Sequence, residues 1–333
     1  MTWQPRVKPC KLIFGPHLKD NLIINEKFAG EVLAKVTRGD LVESLHLGHL
    51  IVLNADGSTY LSKGSPELPI YPRSAVKSLQ AAAMLKAGLK VDADELAIIC
   101  ASHSGSQKHI DLVTKMLTAR SILISQLKNA ADKPLGEKEK FTWGEKPASQ
   151  LAQNCSGKHA GMLITCQQNG WDMKSYLDLN HPLQVAIKNE IEALAGEKVS
   201  AVSVDGCGAP LFAISLVGLA RAISNLVKSK DNIYQQVVSA CTKYPELVAG
   251  DGRLTTRMMQ AVPGLFMKEG AEGVQVCAFG DGRVIAVKII DGSWRPVAPM
   301  IMEIFKRWGV DMPDESVKIY GGGSVIGEVI ANI

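Results

Sequence analysis

Ser74 and Lys77 stand three positions apart in the stretch PRSAVKSLQAAA, residues 72–83. On a helix, residues at i and i+3 share a face, so a hydroxyl and an amine come within reach of each other. A lysine in water is only a solvated charge. A lysine packed among alanines and Leu79 loses its hydration, and burial favours the neutral form. A neutral amine can take the proton of a serine and turn a weak hydroxyl into a nucleophile. The pair taken alone fits the start of a surface helix just as well, so its neighbours must supply the pocket.

Four further places carry residue types suited to chemistry. Ser102 ends the apolar run ELAIICAS and precedes HSG; a hydroxyl there suits the mouth of a buried element, or a turn or helix cap. Lys288 interrupts the apolar VIAVKII, where it is either an outward lysine on an edge strand or a buried ammonium facing a site. Lys268, in MKEGAEGV, is a second strand lysine followed by x-Gly, a loose match to the Lys-Thr-Gly element of Ser-Lys hydrolases. The segments QNCSGKHAGM (153–162) and VSVDGCGAP (202–210) bring Cys155, Lys158, Asp205 and Cys207. Two thiols and a carboxylate can hold zinc, although no Cys-x-x-Cys or His-x-x-x-His spacing is present. A helix start at Cys155 would also offer free backbone N–H groups to a carboxylate.

The elements that must position these residues are legible in part. From Glu31 the pattern is strand-like, and Asp56-Gly57 marks a tight hairpin turn. YPRSAVKSLQAAAMLKAGL reads as a helix with Pro72 near its start and Gly88 past its end. ELAIICAS is a short apolar run that fits a buried strand or a helix segment, and its Ile-Ile and flanking Gly favour a strand. SGKHAGMLITCQQNG reads as a helix ending at Gly170, HPLQVAIKNEIEALAG as an amphipathic helix and LFAISLVGLARAISNLV as a buried one. GVQVCAFGDGRVIAVKIIDG (273–292) is the clearest hairpin, APMIMEIFKRWG a helix, and KIYGGGSVIGEVI a final strand. Strands at both ends with helices between predict a mixed α/β (α+β) fold: one antiparallel sheet built from 31–72 and 262–333 with short inner strands, and a helical part over about 73–261. Residues 1–30 read as an N-terminal extension ahead of a single catalytic domain, 31–333.

The totals narrow the function class. A hydrophobic fraction of 46% is that of a chain with a real core. A net charge of +4, with scattered lysines and few aromatics, does not describe a nucleic-acid surface. No stretch approaches the roughly 18–20 apolar residues of a membrane span, and the first residues lack the pattern of a secretory signal. Seven cysteines, an odd number, read as reduced thiols, which with the missing signal predicts a cytoplasmic protein. Cys100, Cys166, Cys241 and Cys277 lie in apolar runs and read as core.

The blocks RSAVK, CASHSG, NCSGKHAGM, DGCGAP and VKIIDG, in that order, resemble the asparaginase II family, the rhizobial thermolabile type of L-asparaginase. The resemblance runs from about Glu31 to the C-terminus. It implies a fold similar to serine β-lactamases and glutaminases, hydrolysis of L-asparagine to L-aspartate and ammonia, and a homodimer. Ser74 and Lys77 match one Ser-Lys pair of the family; Ser102 matches the second serine and Lys288 the lysine that partners it. Cys155, Lys158 and Cys207 match residues that can bind a zinc ion beside the substrate, with no cofactor needed for the chemistry. Asp205 stands close by, and Arg73 and Asn154 match residues near the same pocket. Charge alone suggests Asp205 for the substrate's α-ammonium, and Arg73 or the helix start at Cys155 for its α-carboxylate. DGCGAP departs from members that carry Asn after the cysteine, which leaves fine substrate selectivity open. The rivals are a glutamine-preferring amidase, another Ser-Lys acyl hydrolase acting on β-lactams or peptides, and a non-catalytic zinc or amino-acid binding protein.

Overall fold

The computed structural model describes residues 26–333. Most of the expected N-terminal extension therefore lies outside the described residues; what is described of it includes a 3-10 turn, Glu26–Ala29. The main sheet draws on both ends of the chain. From the first end come β1 (Glu31–Arg38), β2 (Leu41–Leu53) and β3 (Thr59–Lys63). The short inner strands are β4 (Pro69–Ile70), β5 (Ala201–Val204) and β6 (Pro210–Ser215). From the other end come β7 (Phe266–Gly270), β8 (Val274–Ala278), β9 (Val284–Ile289), β10 (Lys318–Gly321) and β11 (Ser324–Ala331).

The eight-stranded sheet runs β10-β11-β1-β2-β9-β8-β7, with β3 also paired to β2. Every pairing is antiparallel. Strand β2 joins the two ends of the chain: it pairs with β1 over Leu41–Gly48 and with β9 over Gly48–Leu53. Strands β4, β6 and β5 form a separate small sheet. This sheet built from both termini, with helices inserted between, is the architecture the sequence predicts.

The helical insert holds α1 (Lys77–Lys86), α2 (Ala93–Ile99), α3 (Gln107–Thr118), α4 (Glu137–Trp143), α5 (Ser156–Asn169) and α6 (Pro182–Ala195). It continues with α7 (Leu216–Lys228), α8 (Asn232–Lys243), α9 (Pro245–Val248) and α10 (Leu254–Ala261); α11 (Val297–Arg307) follows β9. One apolar cluster spans α1, α2, α5, α6 and α7 and the strands β7, β8 and β9.

Three elements differ from expectation. ELAIICAS is the helix α2, not a strand. Glu95 accepts the Asp92 N–H at 3.2 Å and forms a two-pronged pair with Arg120, so its first turn is fixed by caps that apolarity does not reveal. LFAISLVGLARAISNLV is two elements: β6 ends at Ser215, whose hydroxyl accepts the Gly218 N–H at 2.8 Å and starts α7. KIYGGGSVIGEVI is a hairpin, β10 and β11, because Gly322 and Gly323 both take positive φ and turn the chain.

Candidate active site

The first serine and lysine sit on a junction. Residues Arg73–Val76 form a 3-10 turn that passes directly into α1 at Lys77. Arg73 has φ +52, a backbone state uncommon for a residue with a Cβ. Strand β7 lies hard against this turn: a Cβ on Gly270 would stand 2.3 Å from Pro72 O and 3.1 Å from the Ala75 nitrogen. Only a glycine permits that approach.

Lys77 is buried, and its Nζ lies 2.5 Å from Ala101 O, 3.3 Å from Ser102 Oγ and 3.1 Å from Cys155 Sγ. It thus gathers the RSAVK, CASHSG and NCSGKH blocks at one point. The serine it holds is Ser102. Among the described residues no hydrogen bond joins Ser74 Oγ to Lys77 Nζ, so the expected i, i+3 pair is within one turn but not made; the amine is drawn past Ser74 to the carbonyl at the end of α2.

Ser102 lies in an extended segment after α2. Its N–H donates to Val248 O at 3.0 Å, the His103 N–H to Asn154 O at 3.2 Å and the Ser104 N–H to Ala249 O at 2.7 Å. Backbone on both sides therefore fixes the hydroxyl. His103 is buried and structural: Nδ1 accepts the Gly105 N–H and Nε2 meets Ser156 Oγ at 2.8 Å, while burial pushes its pKa far down.

Lys288 does not join Ser102. It lies on β9, opposite His49 of β2 and Val274 of β8, and its ammonium donates to Glu272 O at 2.6 Å and Ile289 O at 2.5 Å. It is a buried ammonium, as one reading of VIAVKII has it, but its partners are the Glu272 carbonyl in the β7–β8 turn and the Ile289 carbonyl of its own strand. The lysine that stands with Lys77 is Lys268 of β7. Its Nζ donates to Glu269 O at 2.9 Å. Burial pushes it down to about 7; the Lys77 and Arg253 charges press the same way, against Glu269 and Cys241. Lys268, the weaker sequence match, is thus the lysine that feels the Lys77 charge, and among the described residues no hydrogen bond joins either Lys268 or Lys288 to Ser102.

The second half of the site is anionic and sulfur-rich. Cys155 caps the start of α5 and Lys158 lies one turn in. Cys207 lies in the turn between β5 and β6, and Lys158 Nζ reaches its sulfur at 3.2 Å. Contact with Cys155 and the Lys158 charge push Cys207 down to about 5, against burial. The same contact, with burial, pushes Cys155 up to about 12. Burial disfavours the Lys158 charge, yet Cys207, Cys155 and Asp205 more than offset this and hold it as an ammonium. Asn154 Oδ1 accepts from Cys155 Sγ at 2.9 Å.

Asp205 links this half to the first. Its Oδ1 accepts Arg73 Nε at 2.7 Å, and its Oδ2 lies 3.9 Å from Cys207 Sγ. Burial works to raise its pKa, but Lys158 and Arg73 overcome that and hold the carboxyl below its usual range. Arg73, Ser74, Lys77, Ser102, Asn154, Cys155, Lys158, Asp205 and Cys207 therefore form one continuous set of contacts and chain neighbours.

The two cysteine sulfurs fit a zinc ion by donor type, while the residue beside them is an amine and not a histidine or carboxylate. The third donor is a lysine held protonated by the very anions that would share the metal, so metal entry must displace its proton. Among the described residues no group of three His, Cys, Asp or Glu side chains is placed to hold a metal. The remaining core cysteines, Cys100, Cys166, Cys241 and Cys277, are free and buried.

Sequence reasoning missed Arg253 and Glu269. Arg253 Nη1 donates to Ser102 O at 2.8 Å and its Nη2 pairs with Glu269, the neighbour of Lys268. Only the topology joins them: the two charges are sixteen residues apart in segments with no shared pattern.

The model of one protein family, described as L-asparaginase II, matches residues 34–324. No curated protein matches the chain. Among solved structures, the chain is similar to a β-lactamase from Desulfarculus baarsii DSM 2075, at 14% identity over 73% of this chain and 82% of that one, with a TM-score of 0.31.

Proposed function

The chain belongs to the L-asparaginase II family, and from that premise we propose that it hydrolyses L-asparagine to L-aspartate and ammonia through a serine activated by buried lysines. The observation that carries the reading is the placement of Lys77, whose Nζ meets Ser102 Oγ, Ala101 O and Cys155 Sγ within a turn of Ser74.

Ser74 is the nucleophile in this reading, because its hydroxyl is not committed to a partner, whereas Ser102 is already held. Ser74 Oγ attacks the side-chain amide carbon and its proton passes to the lone pair of Lys77 Nζ, which in this reading acts as a neutral amine; contacts of this kind often tighten only when substrate is bound. Ser102 and Lys268 complete the relay that returns the proton to the leaving nitrogen, so ammonia departs and an aspartyl ester remains. Water then cleaves the ester and regenerates Ser74. Backbone N–H groups beside the attacked carbon stabilise the developing oxyanion, an interaction often worth roughly 3–4 kcal/mol per donor.

At the other end of the substrate, Asp205 takes the α-ammonium and Arg73 the α-carboxylate. Their mutual ion pair supports this, since it sets a negative and a positive group side by side as an amino acid requires. Asn154, Cys155 and Lys158 line the same end. Cys155, Lys158 and Cys207 would hold a zinc ion, which when bound supplies positive charge beside the substrate's anionic group. Metal analysis of protein purified without chelator, beside Cys155→Ser, tests that part alone. The homodimer and the cytoplasmic location belong to the proposal too, and light scattering tests the first.

The deciding experiment is ammonia release from L-asparagine beside L-glutamine, with and without chelator. One methylene discriminates by only about 1–3 kcal/mol in a pocket, so a preference for asparagine of about 10- to 200-fold is expected. Release from neither amide overturns the reading, and faster release from glutamine reassigns the substrate.

A further inference from the structure

Arg253 and Glu269 form an ion pair with little solvent access, next to the candidate machinery but outside it. Arg253 is the residue before α10; its side chain is 24% exposed and that of Glu269 11%. Nη1 donates to Ser102 O at 2.8 Å and touches Ala249 O at 3.5 Å, while Nη2 pairs with Glu269 Oε1. Glu269 Oε2 accepts from Thr255 Oγ1 at 3.4 Å, and Glu269 O accepts from Lys268 Nζ at 2.9 Å. The contacts therefore run unbroken from the backbone of Ser102, through Arg253 and Glu269, to Lys268. Desolvating two charges is costly, and a pair of this kind is weak evidence for stability alone.

We propose that Arg253 and Glu269 are positioning residues, an ion pair that clamps the carbonyl of Ser102 to the strand carrying Lys268 and, by its two opposed charges, holds that lysine in its working form. The inference rests on the reading of the site as a Ser-Lys amidohydrolase. Two segments far apart in sequence, 102–104 and β7, must keep their spacing for Ser102 and Lys268 to act together. Arg253 suits the task because its rigid planar fork holds a carbonyl and a carboxylate in a fixed mutual geometry, which the point charge of a lysine does not impose.

The electrostatics give the clamp a signature that a scaffold lacks. The charged and titratable groups facing Lys268 are Glu269 on its own strand, Lys77 on α1, Arg253 ahead of α10, Cys241 on α8 and Cys100 at the end of α2. Arg253 and Lys77 work to lower the lysine's proton affinity, and Glu269 works to raise it. Removing Arg253 therefore takes away one of the charges that oppose Glu269 and moves Lys268 to higher pH. Removing Glu269 leaves Arg253 unopposed and moves it to lower pH. Opposed changes of about one unit are expected for charges this close. A pair with only a structural role would give no change, or changes of one sign.

The test uses the full chain with 13C at lysine Cε, titrated by NMR, the Lys268 signal being identified by its loss in Lys268→Met. Arg253→Gln should move the titration up, Glu269→Gln should move it down, and the double variant should return it toward the parent. Arg253→Lys keeps the charge but not the fork, so the titration should stay while kcat falls at nearly constant KM. Ammonia release against pH should show the same two displacements in the acid limb of kcat/KM. Single variants that move Lys268 the same way, or not at all, overturn the proposal. If Arg253→Gln does not fold, the isosteric Glu269→Gln decides, and an unmoved Lys268 signal there overturns the clamp. Opposed NMR shifts in a chain that releases no ammonia would sink the amidohydrolase reading and leave the clamp; ammonia release with an immobile Lys268 would do the reverse.

Discussion

At Lys77 a single side chain makes contacts that no apolar residue can replace. Lys77→Met should lower kcat by roughly 10²- to 10⁴-fold, the range of general acid–base assistance, while circular dichroism stays that of the parent. The two serines separate by a different measurement. Ser74→Ala should abolish the ester intermediate trapped by acid quench and seen by mass spectrometry. Ser102→Ala should still form it, slowly. An adduct that survives in Ser74→Ala and vanishes in Ser102→Ala would exchange their roles. The lysines offer a similar contrast. Lys268→Met should remove turnover. Lys288→Met, which leaves Glu272 O and Ile289 O without their ammonium donor, should cost stability, about 1–3 kcal/mol for unmade buried hydrogen bonds, with kcat changed only a few-fold. Equal losses of kcat in both would restore Lys288 to the machinery.

At the scale of elements, the site depends on close approaches that glycine alone allows. On α5 a Cβ at Gly157 would lie 2.2 Å from Ile98 O, so the helix carrying Cys155 and Lys158 rests directly on the end of α2. Gly270 does the same for β7 against the turn that carries Ser74. Gly270→Ala should destabilise the fold by about 1–3 kcal/mol, the usual cost of overpacking, and should lower kcat more than the stability loss explains. A thermal melt and a rate at one temperature check both; full activity would mean that β7 and the turn can separate without consequence. This contact was not legible in the sequence. Hairpin turns at Asp56-Gly57 and Asp281-Gly282 were, because turn chemistry is local. The helix α2 and the strand β6 were misread for the opposite reason. Ile98 and Ile99 are buried whichever element they adopt, and the deciding contacts, Glu95 with the Asp92 N–H and with Arg120, are polar details of a cap. RSAVK and NCSGKH could be recognised as blocks, but which lysine meets which serine is set by how β7, α1 and the end of α2 pack together. That is why the sequence could not tell that Lys268, and not Lys288, comes near Lys77.

Across the whole molecule, several buried groups make stability depend on pH in one direction. His103 and His159 are pushed far below the usual histidine range by burial, and His49 and His109 are lowered by the same cause. For each, the unfolded chain binds the proton first, so folding stability is lost as pH falls below about 6.5. Lys268 adds to this over a higher window. Its folded value is about 7 and its unfolded value about 10.4, so its full stability is present only above the unfolded value and is lost as pH falls to about 7. Cys207, lowered to about 5, acts likewise between about 5 and 8.5. The opposing groups titrate later. Cys155 and Cys166, pushed up to about 12, keep protons in the fold that the unfolded chain has given up above about 8.5, so they subtract stability there. Urea unfolding across a pH series should therefore give a maximum between about pH 7 and pH 9. Lys268→Met should flatten one part of that curve: the variant's advantage over the parent should be largest at and below about pH 7 and should shrink steadily toward pH 10. A difference that is constant across the series would mean that Lys268 titrates in the fold as it does in water, and the neutral amine at the centre of the proposed relay would be lost with it.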